Sequence, residues 1–145
     1  MKIIIEDCRA DEEESITIRS KGMDEATLQL IYALKTKSQR IVGISNNKTV
    51  MVNPKDIYYF ETVDNRVYIY CKENVYEIRK KLYEIEEEFK NTEFYRASKS
   101  VIINLNKIKS LSPAFNGRLE ALLYNGEKVI ISRQFVPALK QKLML

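Results

Sequence analysis

The chain has 145 residues, and its 24 lysine and arginine residues exceed its 20 aspartate and glutamate residues to give a net charge of +4. This length suits one domain or two compact halves, and it excludes two large domains. The sequence has no histidine, no Cys-x-x-Cys spacing and no apolar run near the roughly 18 residues of a membrane span, so neither a zinc site nor membrane insertion is expected.

The first 39 residues predict a small strand-strand-helix extension. Residues 2–6 and 15–19 are rich in isoleucine and should form a pair of strands joined by the acidic run at 11–14. The opening strand is similar to the first strand of a phosphoacceptor receiver domain. However, about 45 residues are too few for the repeated strand and helix pattern of a receiver, so control by phosphorylation is not expected.

A helix is predicted to begin after Asp24, which can cap its first turn, and to end near residue 37. Its apolar side chains cover more than one face, because Leu28 and Ile31 point one way while Leu30 and Leu34 point nearly another. We therefore expect one face to pack within the chain and the other to meet a second copy. The alternative is that both faces are buried within one chain.

Residues 40–145 predict a mainly β body with short helices, in the α+β class. Turn-forming residues at 45–48 and 72–74 predict two hairpins, and Asn125-Gly126 is the strongest hairpin signal of the chain. A short helix is expected at 81–89, and a closing helix has Pro137 in its first turn. The predicted strands cover residues 40–44, 49–52, 57–61, 67–71, 75–78, 118–124 and 128–132.

The segment from residue 93 to 108 has the composition of a DNA-reading surface. Basic and hydroxyl side chains come just before an apolar run that can anchor them, and a further arginine follows the last hairpin in Ser132-Arg133. Long cations at rigid strand ends suit the recognition of bases and phosphates. These side chains belong to Arg96, Ser98, Lys99 and Ser100.

The spacing of these residues resembles the LytTR family of bacterial transcription regulators, with the pattern F-x-R-x-x-[KR]-S-x-x-x-N-x-x-x-I followed by a terminal S-R. The matching positions are Phe94, Arg96, Lys99, Ser100, Asn104, Ile108, Ser132 and Arg133. The resemblance covers roughly residues 40–145. It implies a LytTR-type DNA-binding domain over 40–145, with a multi-sheet β body. We therefore expect a stand-alone LytTR regulator without a receiver domain.

The positive charge is concentrated in the last third of the sequence. Residues 95–145 hold 9 basic and 2 acidic side chains (net +7), whereas residues 1–45 and 46–94 have net charges of −1 and −2. A concentrated basic segment indicates a polyanionic partner.

The resemblance implies that Lys99 and Arg133 contact bases in successive major grooves, with Asn65 or Arg66 as a third reading element. Arg133 has the fork geometry that suits guanine, although either cation could instead form a surface ion pair. Phosphate contacts are predicted for Ser98, Ser100, Lys107 and Arg118. Asn104 lies in an apolar run and should satisfy backbone groups in a bend rather than touch DNA.

Sequence-specific binding of double-stranded DNA is therefore the predicted function, with paired repeat sites, bending of the DNA and a homodimer as expected features. One alternative is an interaction module that docks an acidic partner. Another is a small RNA-binding β protein, since nine tyrosines could form a stacking platform. Catalysis has little support without histidine or a glycine-rich phosphate loop. We expect a cytoplasmic protein with no cofactor and with Cys8 and Cys71 as reduced thiols.

Overall fold

The structure is a computed structural model that describes residues 2–38 and 41–145. Seven strands form one antiparallel sheet, here sheet A, in the order β2-β1-β5-β4-β3-β7-β6, and three form sheet B, in the order β10-β9-β8. The strands are β1 (Ile41–Ser45), β2 (Lys48–Val52), β3 (Ile57–Val63), β4 (Arg66–Cys71), β5 (Val75–Ile78), β6 (Phe94–Arg96), β7 (Val101–Asn104), β8 (Ile108–Pro113), β9 (Leu119–Leu123) and β10 (Lys128–Ile131). The helices are α1 (Glu25–Ser38), α2 (Leu82–Glu88) and α3 (Val136–Lys142).

The hairpin turns use the residues that their backbone conformations demand. Asn46 and Asn47 have φ values of 50° and 64° between β1 and β2, and Asp64 and Asn65 have 51° and 63° between β3 and β4. Asparagine and aspartate tolerate this left-handed region better than other residues with a side chain, because they can hydrogen-bond locally. The predicted hairpins with turns at 45–48 and 72–74 are confirmed by the pairing of β1 with β2 and of β4 with β5, and the hairpin of β3 with β4 is an additional one.

The loop between β9 and β10 differs in detail from a two-residue Asn-Gly turn. Only Gly126 has a positive φ, 88°, and the amide of Leu123 donates to the carbonyl of Glu127 at 2.8 Å. The loop therefore has three residues, with glycine at the left-handed position, which is the next most common hairpin geometry.

Strand β7 separates two hydrophobic cores. Ile102 points to the face of sheet A that α2 covers, whereas Val101 and Ile103 point to the opposite face, where sheet B and α3 pack. All four residues of β7 are buried, as expected for a strand covered on both sides. Helix α2 contributes Leu82 and Ile85 to the first core, as its sequence pattern predicted.

Asn104 fixes the end of β7, and the prediction for this residue is confirmed. Its side-chain amide donates to the carbonyl of Ile57 at 2.8 Å, and its side-chain oxygen accepts from the amide of Asn106 at 3.0 Å. The side chain is 1% exposed, so both polar groups replace water with backbone partners.

The predicted pair of N-terminal strands is wrong. The structure has no strand over residues 2–24, and Ile3, Ile4 and Ile5 are exposed. An isolated hairpin gains too little from burial to be stable without a further strand or a helix against it, so β-rich composition alone does not form one. Helix α1 does begin where predicted, and the amide of Thr27 donates to the Asp24 carboxylate at 2.8 Å. None of the described helices is long and apolar enough to cross a membrane.

Candidate nucleic-acid interface

The antiparallel register of sheet A brings several strand ends to one end of the sheet. Val63 pairs with Arg66, Glu61 pairs with Val101, and Val67 pairs with Ile78. The start of β4, the start of β7 and the end of β5 therefore meet there. We call this end, with the adjoining loops of sheet B, the basic edge; its cations are Arg66, Arg79, Lys80, Lys81, Lys99, Arg118 and Arg133.

The basic edge includes cations from a part of the sequence whose net charge is negative. Arg66, Arg79, Lys80 and Lys81 come from the middle third, which has a net negative charge. Strand pairing places them beside the cations of the last third. Two glutamates of α2 pair with cations of this region: Glu88 with Lys80 at 2.6 Å and Glu86 with Arg96 at 3.3 Å. The cations of the basic edge therefore come from two thirds of the sequence and not from the last third alone.

Arg96 organises the loop that presents Lys99. Its Nε donates to the carbonyl of Ser98 and its Nη2 to the carbonyl of Lys99, both at 2.7 Å. The backbone of the loop is closed by a hydrogen bond of 2.9 Å from the amide of Ala97 to the carbonyl of Val101. The Lys99 side chain is left exposed on a loop held from both sides.

A backbone hydrogen bond joins the Lys99 loop to the Arg133 segment. The amide of Ser132 donates to the carbonyl of Ala97 at 2.8 Å. Arg133 follows directly and is exposed, and its aliphatic carbons lie beside Gly117, where an added Cβ would come within 3.4 Å of them. Gly117 has a φ of +74°, which favours glycine, whereas the arginine beside it would be at ordinary contact distance from a Cβ.

Three of the four predicted phosphate-contacting residues line one cleft. Ser98, Ser100 and Arg118 lie around a cleft of about 370 Å³ between sheet A and strand β10. The hydroxyls of Ser98 and Ser100 are 3.4 Å apart, and the amide of Ser100 donates to the Ser98 hydroxyl at 3.2 Å. These short side chains hold the loop and still present oxygen atoms to the cleft.

Lys107, the fourth of these residues, lies apart. It follows Asn104 at the opposite end of β7, and its Nζ is 4.9 Å from the centre of the Tyr58 ring. This cation–π contact gives Lys107 a partner within the chain. The structure does not bring it together with Ser98, Ser100 and Arg118.

Asn65 and Arg66 are both exposed at the basic edge, but for different reasons. Asn65 occupies the left-handed second position of the β3–β4 turn, with a φ of 63°. Arg66 is the first residue of β4 and lies two strands from β7, a separation of roughly 10 Å at the usual strand spacing. The backbone conformation of the turn is enough to explain an asparagine at position 65. The turn does not explain why position 66 has a long cationic side chain.

Two features of this surface were missed in the sequence. Arg79, Lys80 and Lys81 share a small cleft with Asn65 and Arg66, and only the pairing of β4 with β5 reveals it. Phe115 is 83% exposed in the loop between β8 and β9, beside the Gly117 that supports Arg133. Its position follows from the pairing of β8 with β9, in which Pro113 lies opposite Leu119, and no local pattern specifies that register.

The tyrosines do not form a basic stacking platform. Tyr59 and Tyr70 stack with ring centres 4.4 Å apart, but the Tyr59 hydroxyl donates to Glu127 at 2.6 Å and the Tyr70 hydroxyl donates to Glu61 at 3.2 Å. Burial, together with these carboxylates, raises the pKa of both phenols. The two rings stack on each other and their hydroxyls are bonded to carboxylates, so these tyrosines pack within the protein and do not form a platform for bases, which disfavours the RNA-binding alternative.

Comparison with known proteins gives a consistent group of relatives. The sequence model of the LytTr DNA-binding domain family matches residues 47–144. The sensory transduction protein LytT of Enterococcus faecalis is 33% identical over 138 residues, covering 92% of this chain and 57% of that protein. The Bacillus subtilis protein of the same name is 31% identical over 94 residues, covering 65% of this chain and 39% of that protein. The chain thus spans less than two thirds of the length of these two relatives.

A relative of similar length also exists. An uncharacterised HTH-type transcriptional regulator of Staphylococcus aureus is 27% identical over 139 residues, which cover 94% of each chain. Among solved structures, a LytTr DNA-binding domain from Bacillus cereus matches with a TM-score of 0.70 and 23% identity, covering 74% of this chain and 99% of that one. This structural match confirms the predicted multi-sheet β fold.

Proposed function

Since this chain belongs to the LytTr DNA-binding domain family, we propose that it is a transcriptional regulator that reads the sequence of double-stranded DNA. Strand-end loops at the basic edge enter the major grooves. Lys99 and Arg133 contact base edges, and Arg66 or Asn65 provides the third reading element. Ser98, Ser100 and Arg118 contact phosphates and set the register of the protein on the duplex.

The hydrogen bond from Ser132 to the carbonyl of Ala97 carries this proposal. It ties together the backbones of the two segments that carry the exposed cations Lys99 and Arg133, while Arg96 holds two carbonyls of the Lys99 loop. Base readout needs long donors in fixed positions, because a mobile side chain must be ordered on binding. An interaction module for an acidic partner would need the charge but not this positioning.

The experiment compares specific with non-specific binding. A duplex is first selected from a random pool by the wild-type chain, and Lys99→Ala and Arg133→Ala are then titrated at fixed salt against this duplex and against random DNA. Each substitution should cost about 1 to 3 kcal/mol on the selected duplex and much less on random DNA, because the phosphate contacts remain. Lys55→Ala, an exposed lysine at the other end of sheet A, is the matched control. Equal losses on both DNAs would remove Lys99 and Arg133 from base readout.

We also propose that the chain acts as a homodimer on paired repeat sites, with residues 1–39 as the dimerisation element and with bending of the DNA between the contacts. Linking two readers raises the effective concentration of the second after the first has bound. Leu30 supports this part of the proposal, because it remains 46% exposed on the described part of α1.

A further inference from the structure

Strand β2 is an open edge of sheet A. It is the first strand in the sheet order, and in the part of the chain that the structure describes no strand pairs with its outer side. Its five residues pair with β1 in regular register without a bulge, and the strand contains no proline. Met51 is 62% exposed along it. Natural edge strands usually carry a device that prevents further pairing, and β2 has only Lys48 at its end.

The direction of the free backbone groups follows from the turn. Asn46 and Asn47 form a two-residue loop, so Ser45 and Lys48 are a hydrogen-bonded pair and the pairs alternate from there. Thr49 and Met51 therefore direct their N–H and C=O groups away from β1. These two residues offer four backbone groups to an added strand.

The N-terminus of the chain contains a segment that matches this edge. Ile3, Ile4 and Ile5 are 81%, 66% and 89% exposed, and their β-branched side chains favour a strand. If residues 2–6 run antiparallel to β2 with Glu6 opposite Lys48, Ile3 falls opposite Met51 and Ile5 opposite Thr49. In this register opposite charges meet, and Ile4 lies beside Val50 on the side of the α2 core.

We propose that residues 2–6 of a second copy add to β2 as an eighth strand of sheet A, and that the two copies exchange these segments reciprocally. The segment of the same chain does not pair with β2 in the structure, which leaves the edge for the partner copy. Reciprocal exchange is a closed, two-fold arrangement that uses the same surface twice. The inference deepens the proposed homodimer and does not require DNA binding.

Cross-linking tests the register and the source of the strand together. In a Cys8→Ser background, one protein carries Ile3→Cys and another, with a different tag, carries Met51→Cys. Opposed residues in this register lie within disulfide range, so oxidation of the mixture should give a heterodimeric product. Ile4→Cys mixed with Met51→Cys is the matched control, because its side chain faces the other side of the sheet. A third protein carries both Ile3→Cys and Met51→Cys. If only this protein cross-links, and only within single chains, the exchange is overturned; equal yields with Ile3→Cys and Ile4→Cys would overturn the register.

Proline substitutions give a second measurement, by sedimentation of full-length protein without DNA. Met51→Pro and Ile5→Pro each remove an N–H that the added strand uses, and each should weaken the dimer by roughly tenfold or more. Ile4→Pro removes an N–H that points outward and should weaken it much less. Circular dichroism checks that each variant is folded. A wild-type chain that is monomeric at tens of micromolar would overturn the inference, while leaving DNA binding by the basic edge intact.

Discussion

The guanidinium of Arg96 donates to groups of the protein itself. It has the charge of a DNA-contacting residue, yet its donors are directed to the carbonyls of Ser98 and Lys99 and to Glu86. A planar fork with several donors can hold two carbonyls and a carboxylate together, whereas an ammonium group cannot reproduce that geometry. Arg96 is therefore a positioning residue for Lys99.

We predict that Arg96→Ala destabilises the chain by about 1 to 3 kcal/mol, because two carbonyls lose a charged donor. Binding to the selected duplex should fall further than the lost stability explains, since the Lys99 loop is no longer fixed. Urea unfolding and DNA titration measure the two effects. Arg66→Ala, at an exposed position, should leave unfolding within about 0.5 kcal/mol of wild type. Full retention of binding by Arg96→Lys would contradict the positioning role.

The two cysteines should differ in reactivity with pH. Cys8 is exposed, whereas burial raises the pKa of the half-buried Cys71 thiol to about 11. Because only the thiolate reacts with iodoacetamide, Cys71 should be labelled slowly at pH 8 and faster as the pH approaches 11. The raised pKa also means that stability should fall as the pH rises from about 9 through 11, where the unfolded thiol ionises first. Mass spectrometry of the labelled protein checks the first point; equal rates for both cysteines at pH 8 would contradict it.

The strands show which elements a sequence can specify locally. Each confirmed hairpin carries its own turn, as at Asn46-Asn47, so the pattern needs no distant partner. Residues 2–6 have equally strong strand composition but no adjacent turn or packed face, and the structure leaves them exposed. A segment with high strand propensity forms a strand only where the edge of a sheet is available to pair with it, and the local sequence does not specify that edge.

Gly43 in β1 lies close to the side chains of neighbouring strands, and substituting it tests how tightly they pack. A Cβ at this position would lie 2.7 Å from the Cβ of Tyr76 and 3.2 Å from Val52. We predict that Gly43→Ala costs about 1 to 3 kcal/mol from overpacking, which outweighs the gain of about 0.4 to 1 kcal/mol from a less flexible unfolded chain.

Gly22→Ala provides the control for Gly43→Ala, because a Cβ there has no neighbour within 4 Å. Thermal unfolding of both variants should show a lower melting temperature only for Gly43→Ala. An unchanged melting temperature in both would mean that β1 and β5 can separate without cost.

At the scale of the molecule, the two ends of sheet A differ in the cations they expose. Arg118 lines the cleft beside Ser98 and Ser100, whereas Lys107 lies at the far end of β7 over Tyr58. The sequence predicted phosphate contacts for both residues. The structure separates them by the length of a four-residue strand, roughly 13 Å.

We predict that Arg118→Ala weakens binding to all duplexes and lowers the salt slope by roughly one unit, because one fewer counterion is released. Lys107→Ala should lower the slope equally only if the DNA also reaches the far end of the sheet. Titrations at several salt concentrations measure both slopes. A slope unaffected by Arg118→Ala would mean that this side chain faces away from the DNA.

The fold class, the hairpins and the residues of the Lys99 loop could be predicted because turn chemistry and a spaced pattern are local properties. The breadth of the basic edge could not. Arg79 and Lys81 lie in a segment of negative net charge, and only the pairing of β4 with β5 carries them to the edge. The registers between strands depend on the three-dimensional arrangement of the chain. The net charge of a sequence segment carries no information about that arrangement.

The hydrogen bond between Ser132 and Ala97 has a consequence for the DNA sites themselves. If Lys99 and Arg133 read bases as proposed and move as one body, the protein fixes the spacing of those two bases. Inserting one base pair between those bases shifts the second by about 3.4 Å and rotates it by roughly 35°. On the proposed function, the DNA sites of this chain should therefore tolerate base changes between the two contacts far better than changes in their spacing.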